Sequence, residues 1–215
     1  MGEVHRAEQL ELARQVAFKQ LLAGSTVRQR ERFAREARLT AQLDHPNIVP
    51  VHSLELARDG SPNGYVMKLV EGKTLRTLLV ETAELYEKGQ AIDAAHSLRT
   101  HLEHFLKICD AVAFAHDRGV LHRDLKPPNI MIGKFGEVYV MDWGVARAMG
   151  HEDPLDGADL QVASPSVEPE LTQAGEVVGS ASYMSPEQAE GRNAELDARA
   201  DQYSLGLILF EMLTL

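Results

Sequence analysis

Between two short apolar stretches the chain carries His122-Arg123-Asp124-Leu125-Lys126-Pro127-Pro128-Asn129. An aspartate in such a turn can accept the hydrogen bond of a hydroxyl group, and a lysine two residues later can offset negative charge beside it. An asparagine five residues after the aspartate can turn back toward it and offer an oxygen to a hard cation. A second carboxylate, Asp142 in Asp142-Trp143-Gly144, follows directly after the strand-like Val138-Tyr139-Val140-Met141. Far upstream, Lys19 follows the apolar run Val16-Ala17-Phe18, and Glu36 stands in Arg35-Glu36-Ala37. Taken singly these last two are ordinary, since a lone lysine after a strand is usually surface and a helical glutamate usually solvated. Taken with the loop, they suit chemistry on a hydroxyl with a metal ion and anionic charge close by.

Elements must position these groups. Val16-Ala17-Phe18 suits a buried strand. Ser25-Thr26 offers a helix N-cap, with Gln29 three residues after Thr26 as in a capping box. The helix that follows turns Phe33, Ala37 and Ala41 roughly to one side, and Asp44-His45-Pro46-Asn47 stops it. Strands are expected at Ile48 to Val51 and Tyr65 to Val70, around the turn-rich Asp59 to Gly64. Leu98, Leu102, Phe105, Leu106, Cys109, Val112, Ala113 and His116 recur at helical spacing, capped by Ser97 and stopped at Gly119. Ile130-Met131-Ile132 and Val138 to Met141 read as short strands around Gly133 to Gly136. From about Asp201 a helix apolar nearly all round should lie buried. The stretch from Gly150 to Val178 is rich in Pro, Gly, Ser and acids, and reads locally as a solvated acidic loop. His96, His101 and His104 offer no fourth ligand or cysteine partner, so a partly exposed helix face is expected rather than a metal site.

The 215 residues suffice for one large domain or two lobes around a cleft, with no repeat of solenoid length. Hydrophobic content is 44% and charged content 25%, as in ordinary globular proteins. A formal net charge of −10 argues against nucleic-acid binding through phosphate contacts. The single cysteine, Cys109, cannot form an internal disulfide and fits a reducing compartment. No apolar run reaches membrane-spanning length, and the N-terminal Glu3, His5, Arg6 and Glu8 do not read as a signal peptide. A cytoplasmic location is expected.

The loop at 122–129 resembles the catalytic loop of protein kinases, and Asp142-Trp143-Gly144 resembles their metal-binding Asp-Phe-Gly with Trp for Phe. Val16-Ala17-Phe18-Lys19, Glu36, His45-Pro46-Asn47-Ile48-Val49 and Gly179-Ser180-Ala181-Ser182-Tyr183-Met184-Ser185-Pro186-Glu187 fall in the family's order. The variants are most similar to the eukaryotic-like serine/threonine kinases of bacteria. The resemblance covers nearly the whole chain. It implies an α+β, two-lobed fold: a small β-rich lobe over 1–70, a larger helical lobe over 71–215, and an activation segment over 142–187.

The resemblance also implies roles. Asp124 would orient the attacking hydroxyl of a Ser or Thr in a protein substrate, and Lys126 would offset charge on the phosphate in transfer from ATP. Asn129 and Asp142 would hold Mg²⁺, with Mn²⁺ as the alternative ion. Lys19, paired with Glu36, would bridge the α- and β-phosphates. Val4, Ala17 and Met67 would line the nucleotide site, and the backbone of Lys68 and Val70 would meet the adenine edge. Arg123 would receive a phosphorylated activation loop, with Thr172 and Ser180 as candidate sites, so self-phosphorylation or dimerisation enters as an expected mode. Asp201 would support the catalytic loop, and Glu187 would lack its arginine partner. Both ends of the domain read as cut, because Gly2-Glu3-Val4 resembles only the last part of the glycine-rich loop and Leu215 closes the central helix of the large lobe. Leu79 to Ser97 reads as a surface insertion. The rival expectation is a catalytically silent kinase-like fragment that binds partners.

Overall fold

The computed structural model describes residues 2–143, 147–148 and 181–215. Four antiparallel strands open the chain: β1 (Gly2–Gln9), β2 (Arg14–Leu21), β3 (Val51–Leu56) and β4 (Pro62–Lys68), in the order β1-β2-β4-β3. Helix α1 (Val27–Gln42) inserts between β2 and β3. Its N-terminus is a full capping box, in which the Thr26 hydroxyl accepts from the Gln29 amide and the Gln29 side chain accepts from the Thr26 amide. Phe33, Ala34, Glu36, Ala37 and Thr40 form its buried face. Ala41, expected on that face, is exposed, one residue before α1 ends at Gln42.

The expected strand at 48–51 is displaced. Ile48 makes only an isolated parallel bridge to Val140, and pairing along β3 begins at Val51. The reason is a strap between the two parts of the chain. The Asn47 carbonyl accepts from the Val140 amide at 2.8 Å, the Val49 amide donates to the Val140 carbonyl at 3.3 Å, and the Asn47 side chain donates to the Val138 carbonyl at 3.0 Å. Leu43 and Ile48 accordingly pack in the core of the C-terminal part rather than in the small core built on Ala17, Phe33, Ala37, Val49, Tyr65 and Met67. β4 starts earlier than expected, taking in Pro62 and Asn63 at the end of the turn.

The C-terminal part combines a three-stranded sheet, β5 (Gly72–Thr74), β7 (Ile130–Gly133) and β8 (Val138–Val140), with helices α2 (Leu75–Glu87), α3 (Leu98–Asp117), α4 (Pro186–Ala189) and α5 (Ala198–Thr214). β6 (Val120–Leu121) pairs with β9 (Arg147–Ala148). Glycine is required at 72, where a Cβ would sit 1.9 Å from the Ile132 carbonyl oxygen across β5–β7. Gly119 ends α3 at φ +71°.

Three expectations change here. Leu79 to Glu87 is no surface insertion but part of α2, with Leu79 and Thr82 buried, because its apolar residues recur at helical spacing against the core. Helix α3 buries His101, His104, Ile108, Ala111, Val112 and Ala115, while Leu98, Leu102 and Leu106 are exposed. The two histidines take core positions as neutral rings, so the inward face is offset from the one traced by the leucines. Burial pushes both below the ordinary histidine range, His104 down to about 4. Helix α5 buries Ala200, Asp201, Ser204, Leu205, Ile208 and Met212 but leaves Phe210 64% exposed, along with Tyr203 and Leu213. It is therefore one-sided, since α3 and residues 181–183 meet a single face. No helix among the described residues is long and apolar enough to cross a membrane.

Candidate active site

Strand alternation decides what β2 offers to the space between the two parts. Ala17 pairs with Met67 on β4, both buried in the small core. Lys19 lies opposite Val4 of β1, whose side chain is 56% exposed. The Lys19 ammonium donates to Glu36 Oε1 at 2.5 Å and to Asp142 Oδ1 at 3.0 Å. Burial alone would lower the Lys19 pKa, but the two carboxylates outweigh it and hold the amine charged. Burial likewise pushes the Glu36 carboxyl up against the pull of Lys19. The Tyr65 hydroxyl gives Glu36 a second donor at 2.6 Å, and this partner was not anticipated from sequence. Its only advance signal was an aromatic with a polar tip in an otherwise apolar strand.

Asp142 follows β8 and stands at φ +60°, an uncommon left-handed conformation for a residue with a Cβ. Its carboxylate is 49% exposed. Burial would raise it, yet Lys19 overrides this and holds it below the usual carboxylate range. The next residue anchors the turn: Trp143 is fully buried, its ring 4.6 Å from that of His122. His122 in turn places a ring nitrogen 3.0 Å from the Met141 carbonyl. The Asn129 carbonyl accepts from the Met141 amide at 2.8 Å, which joins the 122–129 loop to the chain entering Asp142.

Within that loop the three polar groups converge. Lys126 Nζ lies 2.9 Å from the Asp124 carboxylate. The Asn129 amide nitrogen donates to the Asp124 carbonyl at 2.8 Å and to its carboxylate at 3.1 Å. Both bonds use the nitrogen of Asn129, so its oxygen is the end left for a cation. Asn129 and Asp142 together supply amide and carboxylate oxygens, the donor set that magnesium prefers. Among the described residues no group of three His, Cys, Asp or Glu side chains could hold a metal.

The loop backbone is held from below. Asp201, at the start of α5, is fully buried and accepts from the amides of His122 and Arg123 at 2.8 Å each. It also lies 2.7 Å from His116 Nε2. These bonds hold Arg123 at φ +69°. The Arg123 carbonyl accepts from the Gln188 side chain at 2.7 Å, and its guanidinium donates to Asn193 at 3.0 Å. Glu187, expected to lack its arginine partner, lines a concavity together with Arg192 and Arg199. On the connection between the parts, the Lys68 amide donates to the Pro50 carbonyl at 3.0 Å, which leaves only its carbonyl for a ligand. Val70 follows two residues after β4 ends. Gly144, Thr172 and Ser180 lie outside the described residues.

The family of the protein kinase domain matches residues 1–215. The chain is 38% identical to the serine/threonine-protein kinase PknD of Protochlamydia amoebophila over 218 residues, covering 100% of the chain and 22% of that protein. It is 40% identical to PknD of Chlamydia pneumoniae over 219 residues and 39% identical to PknD of Chlamydia trachomatis serovar D over 224 residues. Each match covers 100% of the chain and 23% of the relative. The chain thus spans less than a quarter of the length of these relatives.

Proposed function

The chain belongs to the protein kinase family, whose members use ATP with a divalent metal ion and act on protein, and from this premise we propose that it transfers the ATP γ-phosphate to Ser or Thr hydroxyls of protein substrates. The observation that carries the reading is Lys19. Its ammonium bonds both Glu36 and Asp142, so groups from β2, α1 and the turn after β8 meet at one point where a phosphate chain can be held.

Lys19, kept charged by its two carboxylates, binds the α- and β-phosphates. Asp124 accepts the hydrogen bond of the incoming hydroxyl and directs its oxygen in line with the leaving group. Lys126 sits against Asp124 and offsets charge on the phosphoryl group in transit. Asn129 and Asp142 would hold the metal, read here as Mg²⁺, which supplies neutralising charge for the phosphates when bound. Ala17, Val4 and Met67 flank the nucleotide, and the Lys68 carbonyl and Val70 amide meet the adenine edge. On this reading the lobe boundary falls between Val70 and Glu71. Arg123 serves as the receiver of a phosphorylated segment, with Thr172 preferred over Ser180 as the modified residue. Asp201 and Glu187 support the loop and the substrate side.

Transfer of labelled phosphate from Mg·ATP to a generic basic protein tests the proposal. Transfer by the wild-type chain that vanishes in Asp124→Asn is expected; equal transfer by both would sink the assignment of Asp124. Phosphopeptide mapping after incubation with ATP tests the regulatory part, and modification confined to residues outside 150–182 would remove it.

A further inference from the structure

The peptide unit that joins Arg123 to Asp124 sets where the Asp124 side chain points, because the peptide is planar and turns as one piece. It is held on both sides. Its N–H, on Asp124, donates to His122 Nδ1 at 3.3 Å. Its carbonyl, on Arg123, accepts from Gln188 Nε2 at 2.7 Å, the shorter of the two bonds. Arg123 stands at φ +69°, a conformation uncommon for a residue with a Cβ, which persists only where the surroundings fix it. The Asp201 carboxylate fixes the amides of His122 and Arg123, on the near side of that dihedral. Gln188 fixes the carbonyl on its far side.

Gln188 reaches the loop from a distant element, at the third position of α4. Both ends of its side-chain amide are engaged. The oxygen accepts from the Ser185 amide at 3.1 Å, closing a capping box in which the Ser185 hydroxyl accepts from the Gln188 amide. The nitrogen is turned to the Arg123 carbonyl, and only this orientation sets oxygen against N–H and nitrogen against C=O. The stretch that carries Gln188 is itself fixed: Ser185 is fully buried, and the Tyr183 carbonyl accepts from the Ser204 hydroxyl of α5 at 2.7 Å. The Arg123 guanidinium adds a bond to Asn193, beyond α4, at 3.0 Å.

We propose that Gln188 is a positioning residue for Asp124: its side-chain nitrogen fixes the Arg123–Asp124 peptide and so the aim of the Asp124 carboxylate at the incoming hydroxyl. The inference rests on the phosphate-transfer reading. The side-chain bonds of Gln188 go to Ser185 and Arg123, not to Lys19, Asn129 or Asp142. Its loss therefore slows transfer and leaves nucleotide binding as it was.

Gln188→Glu separates this role from the capping of α4. The carboxylate still accepts from the Ser185 amide, but it sets an oxygen against the Arg123 carbonyl in place of a donor. Single-turnover transfer should fall by ~10-fold or more, with the Mg·ATP dissociation constant within about twofold of wild type and the thermal melt still cooperative. Gln188→Met, of similar length and without a donor, should fall by ~3-fold or more, the loss of one net hydrogen bond. Ser185→Ala opens the capping box from its other side and leaves the Arg123 carbonyl bonded, so transfer should stay within about twofold of wild type. With wild type active and Asp124→Asn inactive, unchanged transfer in both Gln188 variants would overturn the inference and leave the transfer reading standing. A fall matched by an equal loss of nucleotide affinity, or an equal fall in Ser185→Ala, would overturn it as well. A wild-type chain that transfers no phosphate would remove the reading and the inference together.

Discussion

Asp201→Asn isolates the support under the candidate active site. The carboxylate is fully buried and holds the His122 and Arg123 amides at 2.8 Å each, with His116 at 2.7 Å. Asparagine keeps one acceptor oxygen, and its amide group turns a donor toward one of those donors. At least one hydrogen bond to a charged group is lost, about 1.5–3 kcal/mol, and a buried N–H is left unsatisfied. The expected loss is roughly 2–4 kcal/mol, and roughly 4–16 °C in Tm for a chain of this size. The pH dependence follows from the sign of the shift. Burial would raise the Asp201 pKa, but the His116 bond, the charge of His122 and the two amides bring it below the ordinary value. Its contribution is thus complete above the unfolded pKa of about 3.9 and is lost as pH falls through the folded value. Urea unfolding of both proteins from pH 7 down to pH 3 should show the gap constant above about pH 5 and shrinking below about pH 4. A variant within about 0.5 kcal/mol of wild type at pH 7 would refute the reasoning, because that is the range of neutral surface changes.

Other perturbations reach different parts of the account. Tyr65→Phe removes a donor to the buried Glu36 carboxylate and should cost about 1.5–3 kcal/mol in urea unfolding at neutral pH. Lys19→Met leaves Glu36 buried without its cation, and should cost about 3–5 kcal/mol with part regained in Lys19→Met/Glu36→Met. Thr26→Ala breaks the capping box and should cost about 1 kcal/mol while leaving nucleotide affinity unchanged by calorimetry.

What could be read from the sequence was what local spacing controls. The pairing of Asp124, Lys126 and Asn129 spans six positions, and their convergence follows from one tight loop. The capping box at Thr26 and Gln29 and the stop at Gly119 are likewise local backbone requirements. The meeting of Lys19 with Asp142 joins β2 to the turn after β8, and no spacing rule gives it; the resemblance to a family supplied only the pairing of Lys19 with Glu36. Reading failed where residue type and burial part company. His101 and His104 are core residues of α3, while Leu98, Leu102 and Leu106 point outward, so a count of leucines put the helix face out of register. Ile48 looked like strand because it is β-branched and apolar, but its partner is Val140 in the other part of the molecule. The ion pair and hydroxyl around Glu36 need the fold in three dimensions, since Tyr65 is 29 residues away.

The central claim is that Asp124 acts in transfer and not in holding the nucleotide. Single-turnover transfer and Mg·ATP affinity, measured side by side on wild type and Asp124→Asn, test it directly. The account predicts a transfer rate lower by ~10²-fold or more with a dissociation constant within about twofold of wild type. Unchanged transfer, or a loss matched by an equal loss of nucleotide affinity, would contradict it.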